Sequence, residues 1–205
     1  MKTQQSIING LVLAGGKSKR MGRDKNSITW HGKEQQYYMA DLLQPLCSEV
    51  YISLRQDQEN ETHADYKTLT DSYTGIGPYG AILSAFKFQP DVAWLVVACD
   101  LPLLNSDTLK YLLEHRDANA IATTFKSPFD GLPEPLITIW EPKSHSILLE
   151  FLSNGYTCPR KVLIKSESAT ILQPPDAKAL MNVNTPEDFV KAEQIIQNGE
   201  LQNAG

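Results

Sequence analysis

A chain of 205 residues with 41% hydrophobic content can bury one sizeable core, so a single domain over residues 1–198 with a flexible tail at 199–205 is the simplest organisation. The net charge of −5 and a pI near 5.4 argue against broad binding to nucleic acid, which needs a basic face to displace counterions. Three widely spaced cysteines without a Cys-x-x-Cys pair, no apolar stretch of membrane-spanning length and no signal-peptide pattern point to a reduced, cytoplasmic setting.

Taken in chain order, Ile7 to Ala14 is a short apolar run bounded by glycine and reads as a buried strand. It delivers Leu13-Ala14-Gly15-Gly16-Lys17-Ser18-Lys19-Arg20-Met21-Gly22-Arg23-Asp24-Lys25, a glycine turn joined to five cations within nine residues. Glycines expose backbone N–H groups as anion donors, and Arg20 and Lys25 can neutralise phosphate oxygens, so the run reads as a triphosphate cradle. A solvated basic loop is the competing reading. Walker A spacing is absent, which removes support for P-loop enzymes.

Lys33 to Leu46 fits a helix with Tyr38, Leu42, Leu43 and Leu46 inward, and Val50 to Leu54 a second strand. After a polar excursion from Arg55 to Asp65, a weak strand at Lys67 to Thr70 delivers Asp71 and a glycine-rich loop. Gly75-Ile76-Gly77-Pro78-Tyr79-Gly80 matches the dinucleotide-binding pattern G-x-G-x-x-G, but Pro78 removes a backbone donor where pyrophosphate would sit. A loop touching a base or ribose through Gly77 and Gly80 is the preferred reading.

A helix over Ala81 to Phe88 precedes the clearest strand, Ala93 to Ala98, which ends at Cys99-Asp100-Leu101-Pro102. Asp100 reads either as a Mg²⁺ ligand, since Mg²⁺ takes one or two carboxylates plus phosphate oxygens and water, or as a turn cap; Asp71 carries the same two readings. Ser106 caps a helix to about His115, Ala120 to Thr124 is a strand, and turn signals from Lys126 lead into a strand at Pro135 to Trp140, read as an antiparallel excursion over the substrate. Residues 143–153 look helical and 159–173 mixed, with Arg160 and Lys161 as candidate cations for a second phosphorylated molecule or a solvent-facing pair. Asn182 and Asn184 alternate on one side of a strand, where they either bind something specific or cap the loop before Thr185 and Pro186, which open the last helix. Fraying is expected from about Asn198. Alternating apolar runs and helical stretches predict an α/β fold with a mostly parallel sheet.

The glycine-rich run, Gly77-Pro78-Tyr79-Gly80-Ala81-Ile82, Cys99-Asp100-Leu101-Pro102 and Asn182-Val183-Asn184-Thr185-Pro186-Glu187 together resemble the molybdenum cofactor guanylyltransferase family, in order from residue 7 to about 195. The resemblance implies a three-layer α/β/α sandwich of Rossmann-like, nucleotide-diphospho-sugar transferase type, and GMP transfer from GTP to molybdopterin with release of pyrophosphate. It further implies that Leu13, Ala14 and Gly15 line base and ribose, Lys25 meets phosphates, Asp71 contacts the nucleoside and Asp100 binds Mg²⁺. Arg20, Lys25 and Asp100 form the expected catalytic set, with Gly16, Ser18, Ser53, Gly77, Gly80, Asn182 and Asn184 completing the ligand contacts. The resemblance also implies guanine over cytosine, because in the wider group a Leu-Ala-Gly-Gly turn, as at Leu13 to Gly16, goes with guanine. Two positions depart from the family pattern: Ser53 stands where an asparagine is common, and Lys33-Glu34 replaces Lys-Pro. Expected partners are GTP and molybdopterin, with molybdoenzyme apoproteins as candidate recipients. The alternatives are a transferase using CTP or a sugar or alcohol phosphate, a non-catalytic cofactor chaperone, and a dinucleotide oxidoreductase.

Overall fold

The run Ala93–Ala98 forms strand β4, with every residue buried, as its unbroken apolar character requires of a strand covered on both faces. Around it a computed structural model, describing residues 7–14, 29–58 and 65–203, builds a seven-stranded sheet. The strands are β1 (Ile8–Leu13), β2 (Val50–Leu54), β3 (Lys67–Thr70), β4, β5 (Ala122–Lys126), β6 (Pro133–Trp140) and β7 (Ala169–Leu172), in the order β3-β2-β1-β4-β6-β5-β7. Pairing is parallel except for β6, which runs antiparallel to both β4 and β5.

Strand periodicity divides the core into two layers. Val12, Ile52, Leu95 and Val97 face α1 (Gln35–Leu43) and α3 (Ser106–Glu114), which contribute Met39, Leu43, Leu109 and Leu112. Leu11, Tyr51, Trp94 and Val96 face α2 (Pro78–Phe88), α4 (Ser144–Ser153) and α5 (Pro159–Lys165), which contribute Ile82, Phe86, Leu148 and Val162. The result is the expected three-layer α/β/α sandwich. Helix α6 (Pro186–Asn203) opens with a reciprocal cap, Asp188 N–H donating to Thr185 Oγ1 at 3.2 Å and Thr185 N–H to Asp188 Oδ2 at 3.0 Å.

Several local expectations shift. Helix α1 is shorter than Lys33 to Leu46 and buries Gln35, Tyr37, Met39, Ala40 and Leu43, leaving Tyr38, Leu42 and Leu46 only partly buried. Helix α2 starts at Pro78, whose missing N–H is harmless in a first turn, so Gly80 lies inside a helix. Asn105, not Ser106, caps α3, its side chain accepting from Thr108 N–H. Strand β5 begins two residues later than expected, and 159–173 resolves into α5 and β7.

The 135–140 segment is antiparallel as read, but it lies within the sheet between β4 and β5 instead of over a ligand. Its side chains are buried on both faces, which a covering flap would not be. Residues 181–184 form no strand, and α6 continues to Asn203, past the point where fraying was expected.

Candidate active site at the carboxyl edge of the sheet

Strands β1, β2 and β3 step outward in one direction, and the chain then returns to lay β4 on the other side of β1. This reversal leaves a crevice outside the carboxyl ends of β1 and β4, the place where open α/β sheets take ligands. In register, Leu13 pairs with Ser53 on one side and Ala98 on the other, so the carboxyl-terminal ends of the three strands stand side by side.

Ala14 follows β1 and is buried, while Gly15, Gly16, Ser18, Arg20 and Lys25 lie outside the described residues. Ser53 is buried, and its hydroxyl donates to Asp71 Oδ1 at 2.7 Å. Burial pushes the Asp71 carboxyl above the ordinary aspartate value, against the opposing pull of the Ser53 hydrogen bond and the Arg55 charge. An acid held at such a desolvation cost beside a crevice is a candidate ligand contact.

Gly77 and Gly80 separate in role. Gly77 precedes α2 with φ of 58°, a left-handed conformation that glycine adopts without strain, and it is exposed. Gly80 is buried, and a Cβ there would lie 2.0 Å from the Tyr73 carbonyl oxygen, so its missing side chain serves close packing and not a ligand.

Asp100 stands two residues beyond β4 and is half-buried. The backbone carbonyl of Asp100 accepts the Val183 N–H at 2.9 Å, which brings Asn182 and Asn184 to this turn from far along the chain. The neighbouring carbonyls are also held: Leu101 O lies 3.5 Å from Gln35 Nε2, and Pro102 O 2.9 Å from His31 Nε2. His31 and Gln35 carry no motif and escape sequence reasoning; only the folded contacts connect them to Asp100.

Arg160 does not stand open for a second phosphate. Its guanidinium contacts Asp130 at 2.6 Å and Glu134 at 3.1 Å, fastening α5 to β6 and to the turn that precedes it. Lys161 Nζ lies 5.8 Å from the Tyr156 ring centroid. The Lys33-Glu34 departure is structurally mild: Glu34 caps α1 with φ of −57°, a value proline would share, and Lys33 pairs with Asp41. Among the described residues no helix is long and apolar enough to cross a membrane, and no group of three or more His, Cys, Asp or Glu side chains could hold a metal ion.

A family model for the MobA-like NTP transferase domain matches residues 10–169. The chain is 34% identical over 186 residues to the molybdenum cofactor biosynthesis bifunctional protein of Synechocystis, aligning 90% of this chain with 53% of that one, and so spans about half that relative's length. It is 30% identical over 186 residues to a molybdenum cofactor guanylyltransferase of Shewanella, with 88% of this chain and 92% of that one aligned. In three dimensions it is similar to the crystal structure of molybdopterin-guanine dinucleotide biosynthesis protein A from Archaeoglobus fulgidus, with a TM-score of 0.75 and 22% identity over 93% of this chain and 99% of that one.

Proposed function

The chain belongs to the MobA-like NTP transferase family, and from that premise we propose that it transfers GMP from GTP to the terminal phosphate of molybdopterin, releasing pyrophosphate and forming the guanine dinucleotide form of the cofactor. The observation that carries the reading is the meeting of Leu13, Ser53, Asp71, Asp100 and the Asn182–Asn184 segment at one sheet edge.

The chemistry asks little covalent help from the protein. The acceptor phosphate is already an anion and needs no strong base. Its oxygen forms a bond to the α-phosphorus while the bond to the bridging oxygen of the leaving pyrophosphate breaks. Ser53 and Asp71, on the β2–β3 side, would hold the nucleoside, and Asn182 and Asn184 the acceptor. Arg20 and Lys25, assigned from the sequence, would stabilise the charge on transferred and leaving phosphates.

Asp100 would hold Mg²⁺ through its one carboxylate, a site of the kind that substrate phosphate oxygens and water complete. When bound there, Mg²⁺ would neutralise phosphate charge.

The test is pyrophosphate release with each of the four nucleoside triphosphates, with and without molybdopterin. Release that requires both GTP and molybdopterin is expected. Transfer from CTP alone would replace the guanine assignment, and tight binding of the finished cofactor without turnover would make the protein a carrier.

A further inference from the structure

We infer that His31 and Gln35 are positioning residues for the Asp100 turn, tying the segment that follows the cation-bearing run to the proposed metal-binding position; this rests on the reading of Asp100 given above. Three consecutive carbonyls of the turn, those of Asp100, Leu101 and Pro102, meet hydrogen-bonding groups from Val183, Gln35 and His31. Two of those three groups come from residues 31–35.

A carbonyl oxygen only accepts, so the His31 Nε2 that faces Pro102 O at 2.9 Å carries the hydrogen. The ring is held in place by stacking on Tyr38, with centroids 4.0 Å apart and planes 21° from parallel. Gln35 is completely buried, its Nε2 directed to Leu101 O, while its Oε1 has no hydrogen-bond partner among the described residues. An orphaned amide oxygen costs stability that an apolar side chain of similar size would avoid. Its presence is explained by what the other end of the amide does for Leu101.

The same segment is anchored elsewhere. Thr29 and Glu34 pair as an antiparallel bridge, and the Trp30 ring lies 4.4 Å from that of Phe189 on α6. In sequence, residues 29–35 begin four positions after Lys25. A cation on Asp100 would therefore be held by a turn whose carbonyls are supported from residues 31–35.

The experiment compares His31→Ala, His31→Gln and Gln35→Leu by calorimetry, using whichever nucleoside triphosphate the wild-type chain binds, in Mg²⁺ and in EDTA, with no acceptor present. Thermal midpoints are read alongside. His31→Ala should reduce the gain in nucleotide affinity that Mg²⁺ confers by about tenfold while leaving affinity in EDTA unchanged, the scale seen when the supports of a metal ligand are removed. His31→Gln, which keeps an N–H donor, should restore much of it. Gln35→Leu separates positioning from stability: its thermal midpoint should hold or rise while the Mg²⁺ gain falls. Variants that keep the wild-type Mg²⁺ gain, or lose affinity equally in Mg²⁺ and EDTA, would overturn the inference alone. A wild-type chain whose nucleotide affinity ignores Mg²⁺ would remove the Asp100 reading and this inference with it.

Discussion

The Ser53 hydroxyl donates to Asp71 Oδ1 across 2.7 Å, joining the end of β2 to the residue that follows β3. Burial raises the Asp71 pKa and the Ser53 bond opposes that rise, so removing the hydroxyl makes the carboxylate harder to ionise and frees it to turn. Ser53→Ala should raise the nucleotide KM by about tenfold, since hydrogen bonds to charged groups contribute roughly 1.5–3 kcal/mol. It should also move the acid limb of nucleotide binding to higher pH, with kcat little changed, as KM measured across pH will read. Because the folded-state pKa is raised, folding disfavours the ionised form and stability is lost as pH climbs through the carboxylate range. Asp71→Asn should therefore raise the thermal midpoint at neutral pH while weakening nucleotide binding.

Asn182 is carried to Asp100 by the backbone of its neighbour Val183, not by its own side chain. Truncating the side chain leaves that backbone bond intact. Asn182→Ala should raise the acceptor KM by about tenfold and leave the nucleotide KM near wild type, consistent with the loss of one well-made hydrogen bond. Equal losses for both substrates in steady-state kinetics would remove the acceptor assignment.

At the opposite edge of the sheet, Arg116 and Glu141 form a two-point ion pair, Nε to Oε1 at 2.6 Å and Nη2 to Oε2 at 2.8 Å, with side-chain exposures of 3% and 1%. Removing one partner strands a buried charge. Arg116→Met should cost about 3–5 kcal/mol and lower the thermal midpoint by roughly 10 °C. Arg116→Met combined with Glu141→Leu should recover most of that loss, and activity per folded molecule should stay unchanged.

His145 stacks on Phe86 with ring centroids 5.4 Å apart, and burial lowers its pKa from the usual 6.5. The folded state therefore binds fewer protons than the unfolded chain. Stability should fall as pH drops below 6.5, where the unfolded imidazole charges first, and continue to fall through the lower folded value. His145→Phe keeps an aromatic ring and removes the titration, so its thermal midpoint should change less between pH 7 and pH 5. An unchanged pH response would show that other groups dominate acid sensitivity.

The parts of the site that were legible in the sequence are those where one residue type is chemically costly to place. Asp100 after an all-apolar strand announces itself because a polar group there needs a reason; Asn182 and Asn184 draw attention as strand residues, and residues 181–184 form no strand. Gly80 shows how the same reasoning can mislead. Its pattern suggested a ligand loop, whereas the residue sits within α2 against the Tyr73 carbonyl, a demand for space that looks identical in sequence. Arg160 stays open in sequence between two readings for a related reason: a cation in sequence does not reveal that Asp130 and Glu134, some thirty residues earlier, pair with it.

By itself the sequence determined the α/β class, the central strand and the family, since hydrophobic period and short motifs are local quantities. The tertiary structure decided the rest. That β6 enters the sheet antiparallel beside β4, that Ser53 reaches Asp71, and that His31, Gln35 and Val183 converge on one turn all depend on long-range pairing, whose outcome is set by which buried polar groups find partners only once the chain has closed on itself.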